Sequence, residues 1–277
     1  MGRSGQRLQI LLAHLLLLGY TALALFPVLL IVINSLKSRR AIFGSPYALP
    51  NRETFDPVGY HTVLSNARFD LYFLNSLIVT LGSLFIILLV SSMAAHALAE
   101  YEFFGNTFMS LYLALGIMIP IRLATVSLLR LMVDLNLAGT LWSLILVYAA
   151  QGIPLAVFIL TLFMQGVPRD LKDAARIDGA SEYRIYTLVL PLIRPALGTV
   201  AVFNMIHIWN DLWFPLILAP AERTKTVILG AQVFLGQYVN DWNAVLASLT
   251  LAMVPVVVLY VVFSRQLIRG LTSGAVK

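Results

Sequence analysis

PRDLKDAARIDGASEYRIYTLVLPLIRP, residues 168–195, is the stretch on which the reading of this chain turns. It lies between two apolar runs and carries nine charged side chains: Arg169, Asp170, Lys172, Asp173, Arg176, Asp178, Glu182, Arg184 and Arg194. Its local chemistry predicts order. Ala174 and Ala175 are small, strong helix formers flanked by charge, and they let a partner surface approach the backbone. Gly179 is placed to end a first short helix in a left-handed conformation. Ser181 is placed to cap a second helix, 182–189, which Pro191 stops. Flexible linkers are usually Gly/Ser-rich; this segment instead reads as a helix–turn–helix rigidly joined to the apolar runs on either side. That is the form of a docking element.

Working outward, the composition says what the apolar runs are. The 277 residues are 60% hydrophobic and 12% charged, about half the charge of an ordinary soluble domain. So much apolar surface does not fit inside one water-soluble core, and the bilayer is its solvent. The formal net charge of +6 comes from cations spread among polar connections, with no basic run interleaved with aromatics, so nucleic acid is not an expected partner. There is no cysteine, which removes disulfides and thiolate chemistry.

A spanning helix needs about 20 mainly apolar residues. Candidate spans lie at 8–36 with Pro27 as a kink, 72–99, 107–128 broken by Pro120, 141–163 containing Pro154, 196–218 and 242–263. The first exceeds a secretory h-region and lacks a clean cleavage site, so it reads as an uncleaved helix. Residues 37–70 and 219–241 are polar connections, and a short basic tail follows the last span. Six spans put both termini on one side. Charge does not say which side: ten Lys/Arg fall on one face of the bilayer and nine on the other, so the positive-inside rule is silent.

Several chemistries are missing. The sequence holds no P-loop, no His-Glu-x-x-His pattern and no Gly-x-Ser-x-Gly elbow, and its four histidines are scattered. No catalytic residue and no metal site is expected. Polar groups within spans are costly and need a reason. Asn204, His207, Asn210 and Asp211 are the densest such group, and the spacing of Asn204, His207 and Asp211 puts those three on one helical face. Two readings stay open: interhelical hydrogen bonding, or a polar lining for a hydrophilic solute. Trp209 and Trp213 offer stacking surfaces for a sugar ring, or interfacial anchors. Ser91, Ser92 and His96 form a weaker set. Arg122, near Pro120, is expected to snorkel to water.

DAARIDGA at 173–180, followed by Leu190-Pro191, resembles the Glu-Ala-Ala-x-x-x-Gly loop of binding-protein-dependent ABC importer permeases. NSLIVTLGS at 75–83, WNDLWFPLIL at 209–218 and IRGLTSGAVK at 268–277 resemble the carbohydrate-uptake permeases, notably the smaller membrane subunit of maltose-type systems. The resemblance implies an all-α integral membrane fold of type I ABC importer permeases: six transmembrane helices, with a cytoplasmic coupling helix between the fourth and fifth. It divides the chain into a first transmembrane helix with its external loop (1–71), a permease core (72–266) and a cytoplasmic tail (267–277). Both termini are then cytoplasmic, in a bacterial or archaeal cytoplasmic membrane.

The implied partners are a second permease subunit, two cytoplasmic ATPase subunits, an extracytoplasmic solute-binding protein, a sugar substrate and the bilayer. By the same resemblance this chain binds no cofactor and is no enzyme; ATP and Mg belong to the ATPase subunits. The connection at 219–241 would meet the binding protein, and the tail the ATPases. Carried over by position, Ala174, Ala175 and Gly179 match the coupling motif, Asp173 stands where the family usually has Glu, and Asp178 lies within it. Asp keeps the charge but shortens its reach, and the spacing from Gly179 to Leu190-Pro191 is one residue short of the usual pattern. Other functions weighed beside sugar import are the same machine for glycerol phosphate or a polyamine, an ion-coupled secondary transporter using Asp211, and a membrane scaffold.

Overall fold

The computed structural model describes residues 3–65, 68–235 and 241–273. Among them the chain is helical, with an isolated β-bridge between Lys37 and Phe55. In chain order the helices are α1 (Arg3–Ser35), α2 (Arg39–Gly44), α3 (Val58–Ser65), α4 (Phe69–Glu100), α5 (Asn106–Met118), α6 (Thr125–Asp134) and α7 (Leu141–Gln165). They continue with α8 (Arg169–Ile177), α9 (Glu182–Val189), α10 (Arg194–Asn210), α11 (Trp213–Leu218), α12 (Val227–Ala231) and α13 (Trp242–Ser273). Single-turn 3₁₀ segments lead into α6 and flank α12.

Among the described residues, three helices are long and apolar enough to cross a membrane unbroken: Gln9–Ser35, Phe69–Glu100 and Leu141–Gln165. The third sequence span is interrupted where expected, and more sharply than a kink. Pro120 lacks an N–H and crowds the preceding turn, α5 stops at Met118, and Asn106–Met118 and Ile121–Asp134 meet at 82°. A second bent pair, Glu182–Val189 with Arg194–Asn210, meets at 73°. The fifth span, read as continuous over 196–218, is instead broken. Helix α10 ends at Asn210, Asp211 turns to an extended backbone, and α11 restarts at Trp213. Helix α13 runs beyond 263 to Ser273, so the first part of the predicted tail is helical. Residues 274–277 of that tail, and 236–240 of the connection at 219–241, lie outside the described residues.

By internal contacts the chain divides into two units: Met1–Phe69 with Gly230–Met253, and Asp70–Leu229 with Val254–Lys277. This grouping sets 230–253 beside the N-terminal stretch, whereas the sequence division 1–71, 72–266 and 267–277 kept them in the core.

In the first unit, every residue of α1 from 9 to 29 is exposed, as suits a helix whose surroundings are lipid or another chain. The connection after it is ordered around Lys37, one of the cations of the polar connection 37–70. Lys37 is fully buried. Its ammonium donates to the carbonyls of Ser45 at 2.9 Å and Pro46 at 3.3 Å and to Asn34 Oδ1 at 3.3 Å, and burial pushes its pKa down. Asn34 also donates to Pro46 O, Ser35 meets Tyr60 at 2.7 Å, and Asn243 Nδ2 donates to Lys37 O at 2.6 Å. A buried cation surrounded by acceptors turns a polar loop into a fixed structure.

The second unit packs around α7, whose buried residues include Leu144, Tyr148, Ala156, Leu160 and Met164. Lipid tails are as apolar as leucine, so contact between spans comes from close approach and hydrogen bonds between helices. Small residues on these helices serve that end. Ser83 Oγ donates to Ile145 O and Ser91 Oγ to Ile153 O, each at 3.4 Å, pinning α4 to α7. At Gly152 a Cβ would stand 2.5 Å from both Asn204 Oδ1 and Ile87 Cδ1, so any larger residue would have to displace these side chains where α4, α7 and α10 meet.

Candidate functional site: the α8–α9 element and two buried carboxylates

The segment 168–195 folds as its local signals dictate. Asp170 lies in the first turn of α8 and Arg176 in the last, each favourable to the helix dipole. The end of α8 is closed by Gly179 N–H to Arg176 O at 3.0 Å and Ala180 N–H to Ala175 O at 2.9 Å, a paired closure that requires the left-handed residue between them. Gly179 supplies it with φ of +77°, and no atom lies within 4 Å of where its Cβ would be. Ser181 Oγ then accepts from Arg184 N–H at 3.4 Å and starts α9. Inward, Lys172, Ile185 and Val189 are buried. Outward, Ala174, Asp178 and Gly179 are exposed, beside two apolar side chains that a solvated surface would not favour: Ile177 is 87% and Tyr183 75% exposed. Asp173, in the Glu position of the motif, pairs with Arg176 at 2.9 Å and is largely solvated.

A carboxylate that the sequence reading passed over holds this element. Glu100, the last residue of α4, receives Lys172 Nζ at 2.5 Å on Oε2 and Arg176 Nη2 at 2.6 Å on Oε1. Arg176 also reaches Glu182 at 3.2 Å, joining α8 to α9, and Tyr101 OH donates to Glu182 Oε2 at 2.7 Å. Partial burial, then the bond to Glu182, pushes the Tyr101 phenol up to about 12. The Glu100 and Glu182 carboxylates push the Arg176 guanidinium up as well. The set Ser91, Ser92 and His96 belongs here as packing: Ser92 Oγ meets Tyr186 OH at 2.8 Å, and the His96 ring stands edge-on to Tyr186 and Tyr101. The sequence did carry a signal for Glu100, an acid at the end of a span in a chain whose longest polar segment is rich in cations.

The second carboxylate is Asp211. It does not share a helical face with Asn204 and His207, because α10 ends one residue earlier. The side chain of Asp211 explains that ending: Oδ2 accepts from Phe214 N–H at 3.0 Å and from Tyr148 OH at 2.9 Å, and Oδ1 faces Arg122 Nη2 at 3.2 Å. Arg122 is therefore an ion-pair partner, where snorkelling to water was expected. The other candidates are not brought together. Asn204 is buried and donates to Val200 O at 2.9 Å. His207 and Asn210 are exposed; His207 Nε2 lies 2.9 Å from Gln151 Nε2, and Asn210 donates to Ile206 O at 2.8 Å. Trp209 is buried edge-on to Phe73 at 5.6 Å, and Trp213 donates its indole N–H to Thr125 at 3.0 Å. Exposed polar groups on helices that must sit in a membrane face water or another chain, not lipid; His207, Asn210 and Arg122 are such groups, and beside His207 lies Gln151, half-buried and not singled out from sequence.

Comparison with known proteins agrees with this architecture. Residues 10–273 match the family described as binding-protein-dependent transport system inner membrane component. The diacetylchitobiose uptake system permease protein NgcG of Streptomyces coelicolor is 31% identical over 95% of this chain and 87% of its own length. The arabinooligosaccharides transport system permease protein AraQ of Halalkalibacterium halodurans is 33% identical over 96% and 97%. Among solved structures, a chain of a bacterial ABC transporter involved in the import of the acidic polysaccharide alginate superposes with a TM-score of 0.82 at 22% identity, covering 96% of this chain and 98% of that one. The chain, a multi-pass membrane protein by its apolar helices, thus belongs to the binding-protein-dependent transport system inner membrane components, the permease subunits of ABC importers.

Proposed function

We propose that this permease forms, with a second permease subunit, the path by which a mono- or oligosaccharide enters the cell, driven by two separate ATPase subunits and supplied by an external solute-binding protein. The observation that carries the reading is the α8–Gly179–α9 element. It is capped at its turn and anchored at its base, and it displays Ala174, Ile177, Asp178, Gly179 and Tyr183 to whatever docks there. Sugar as cargo is supported by the printed substrates of NgcG and AraQ. On this reading α8 is the coupling helix, the element and both termini are cytoplasmic, the membrane domain has six spans with its core at 72–266, and the bent helices complete the count.

ATP and Mg on the ATPase subunits supply the driving free energy. What this chain contributes is a rigid handle, so that displacement of α8–α9 turns the spans attached to it as a body. Asp173 contributes by fixing Arg176 within the handle. Gln151, His207, Asn210 and Arg122 are the polar groups available to line a path, with Asn204 and Asp211 shaping its wall. An ion-coupled transporter using Asp211 is less well supported, because a guanidinium and two further donors all favour its charged form, whereas a proton carrier must take up a proton in each cycle.

The test is Gly179→Val in the reconstituted importer. The complex should assemble and hydrolyse ATP while sugar uptake fails; undiminished uptake would overturn the docking role. Uptake that persists without the ATPase subunits would establish the ion-coupled alternative instead.

A further inference from the structure

We infer that Glu100 is the positioning residue that fastens the α8–α9 element to α4, so that movement of the element is delivered to this span as well as to the helices continuous with it. The inference rests on the docking role proposed above. Along the chain, α8 joins α7 through Gly166-Val167-Pro168, and α9 joins α10 through 190–193 with a 73° bend. Both joints contain proline and interrupt the helices, and their backbone bonds are local: Val167 N–H to Met164 O, Leu192 and Ile193 N–H to Val189 O. These bonds order each joint without reaching α4; contacts remote in sequence supply that link. The two oxygens of Glu100 are used separately, one by Lys172 and one by Arg176, which lie one helical turn apart on α8. Arg176 passes the constraint to α9 through Glu182, Tyr101 grips Glu182 from the α4 side, and Tyr186 is tied to Ser92 of α4.

Burial separates this cluster from an ordinary surface salt bridge. The side chains of Glu100 and Lys172 are 9% and 5% exposed, against 61% for Asp173. A solvated pair holds little, whereas a buried carboxylate with two cations cannot be deleted without stranding charge. A polar cavity of about 790 Å³, lined in part by Tyr101, Glu102, Arg169 and Lys172, opens beside it. Water therefore reaches the margin of the cluster, and the cations keep some hydration while Glu100 is held.

The experiment uses the whole importer in proteoliposomes: this chain, the second permease, the ATPases and the binding protein. Glu100→Gln keeps the shape and removes the charge. We expect the ATPases to co-purify and ATP hydrolysis to persist, with sugar moved per ATP reduced by roughly tenfold, within the range that coupling between sites carries. A merely structural role would lower assembly and leave that ratio unchanged. The chain lacks cysteine, so spin labels at Met93→Cys on α4 and Arg184→Cys on α9, both exposed, report the relation of α4 to α9. Their separation should be the same in nucleotide-free and ATP-bound complexes of the parent, and should differ between those states once Glu100→Gln is added. A parental separation that changes with nucleotide, or an unchanged ratio of uptake to hydrolysis in Glu100→Gln, overturns the inference. If Glu100→Gln fails to assemble, Tyr101→Phe removes one hydroxyl; a loss of roughly twofold in the same ratio supports the clamp and no loss overturns it. Failure of the parent chain to co-purify with its ATPases would instead sink the docking role itself.

Discussion

Glu100 and Asp211 are both buried acids whose cations come from distant parts of the chain, yet they are satisfied in different ways. Glu100, at the end of α4, takes two full cations. Asp211, between α10 and α11, takes one cation whose side chain is 60% exposed, and fills its remaining capacity with a phenol and a backbone N–H. The difference follows from access to water. At the edge of a polar cavity, Arg176 stays partly solvated and spends its other donors on Asp173 and Glu182, two carboxylates that water also reaches. Among spans every added charge must be desolvated, so neutral donors are the cheaper way to hold a carboxylate. The first arrangement suits a joint that bears force, and the second a fixed bend.

The comparison can be broken most directly at Asp211. Replacing it with Ala leaves the buried Tyr148 hydroxyl and Phe214 N–H unpaired and Arg122 without its partner, and should cost about 2–4 kcal/mol, read as the loss of unfolding free energy of the detergent-solubilised complex. Asp211→Asn keeps an acceptor and should cost clearly less. If Ala is tolerated, the bend is not held by this side chain. Gly179→Val comes next, at about 1–2 kcal/mol in the same measurement, because a β-branched residue is forced to positive φ; the space around Gly179 is open, so strain is the whole effect.

Two tyrosines sharpen the contrast, since each donates to a carboxylate. Tyr148→Phe, in the buried set, should cost about 1–1.5 kcal/mol. Tyr101→Phe, at the water side, should cost under about 0.5 kcal/mol of stability while still showing in the coupling ratio. The smallest effect concerns pH. The Tyr101 phenol is raised from 10.0 to about 12, so the stability it lends is complete below pH 10 and is lost as pH rises through 12. Ultraviolet difference titration of the parent against Tyr101→Phe should show no phenolate from this residue near neutrality.

How much of this was legible beforehand depends on how far apart the interacting residues lie. The α8–turn–α9 element is written in adjacent residues, with Gly179, Ser181 and Pro191 each acting on its own backbone, and it forms as read. The partners of Asp211 stand 63 and 89 residues away, and no spacing rule connects them. The end of α10 escaped notice for a related reason: the run 212–218 stays apolar, so hydropathy passes smoothly through a backbone that the Asp211 side chain has turned. The burial of Lys37 has no local signature, because a cation in a polar connection is usually solvated, and only the assembled fold supplies the carbonyls that make its burial tolerable.

The first helix, with no residue between 9 and 29 buried, bears on how the protein is made. A segment with no buried residue over this length can leave the ribosome, enter the bilayer and stay there before the rest of the chain exists, because its insertion is decided by composition. Its free energy is gained at biogenesis and hardly appears in the later folding equilibrium. Substitutions along α1 should accordingly register as altered yield of membrane-integrated protein, and in how long an unpartnered copy survives cellular quality control, while leaving the unfolding of the rest untouched.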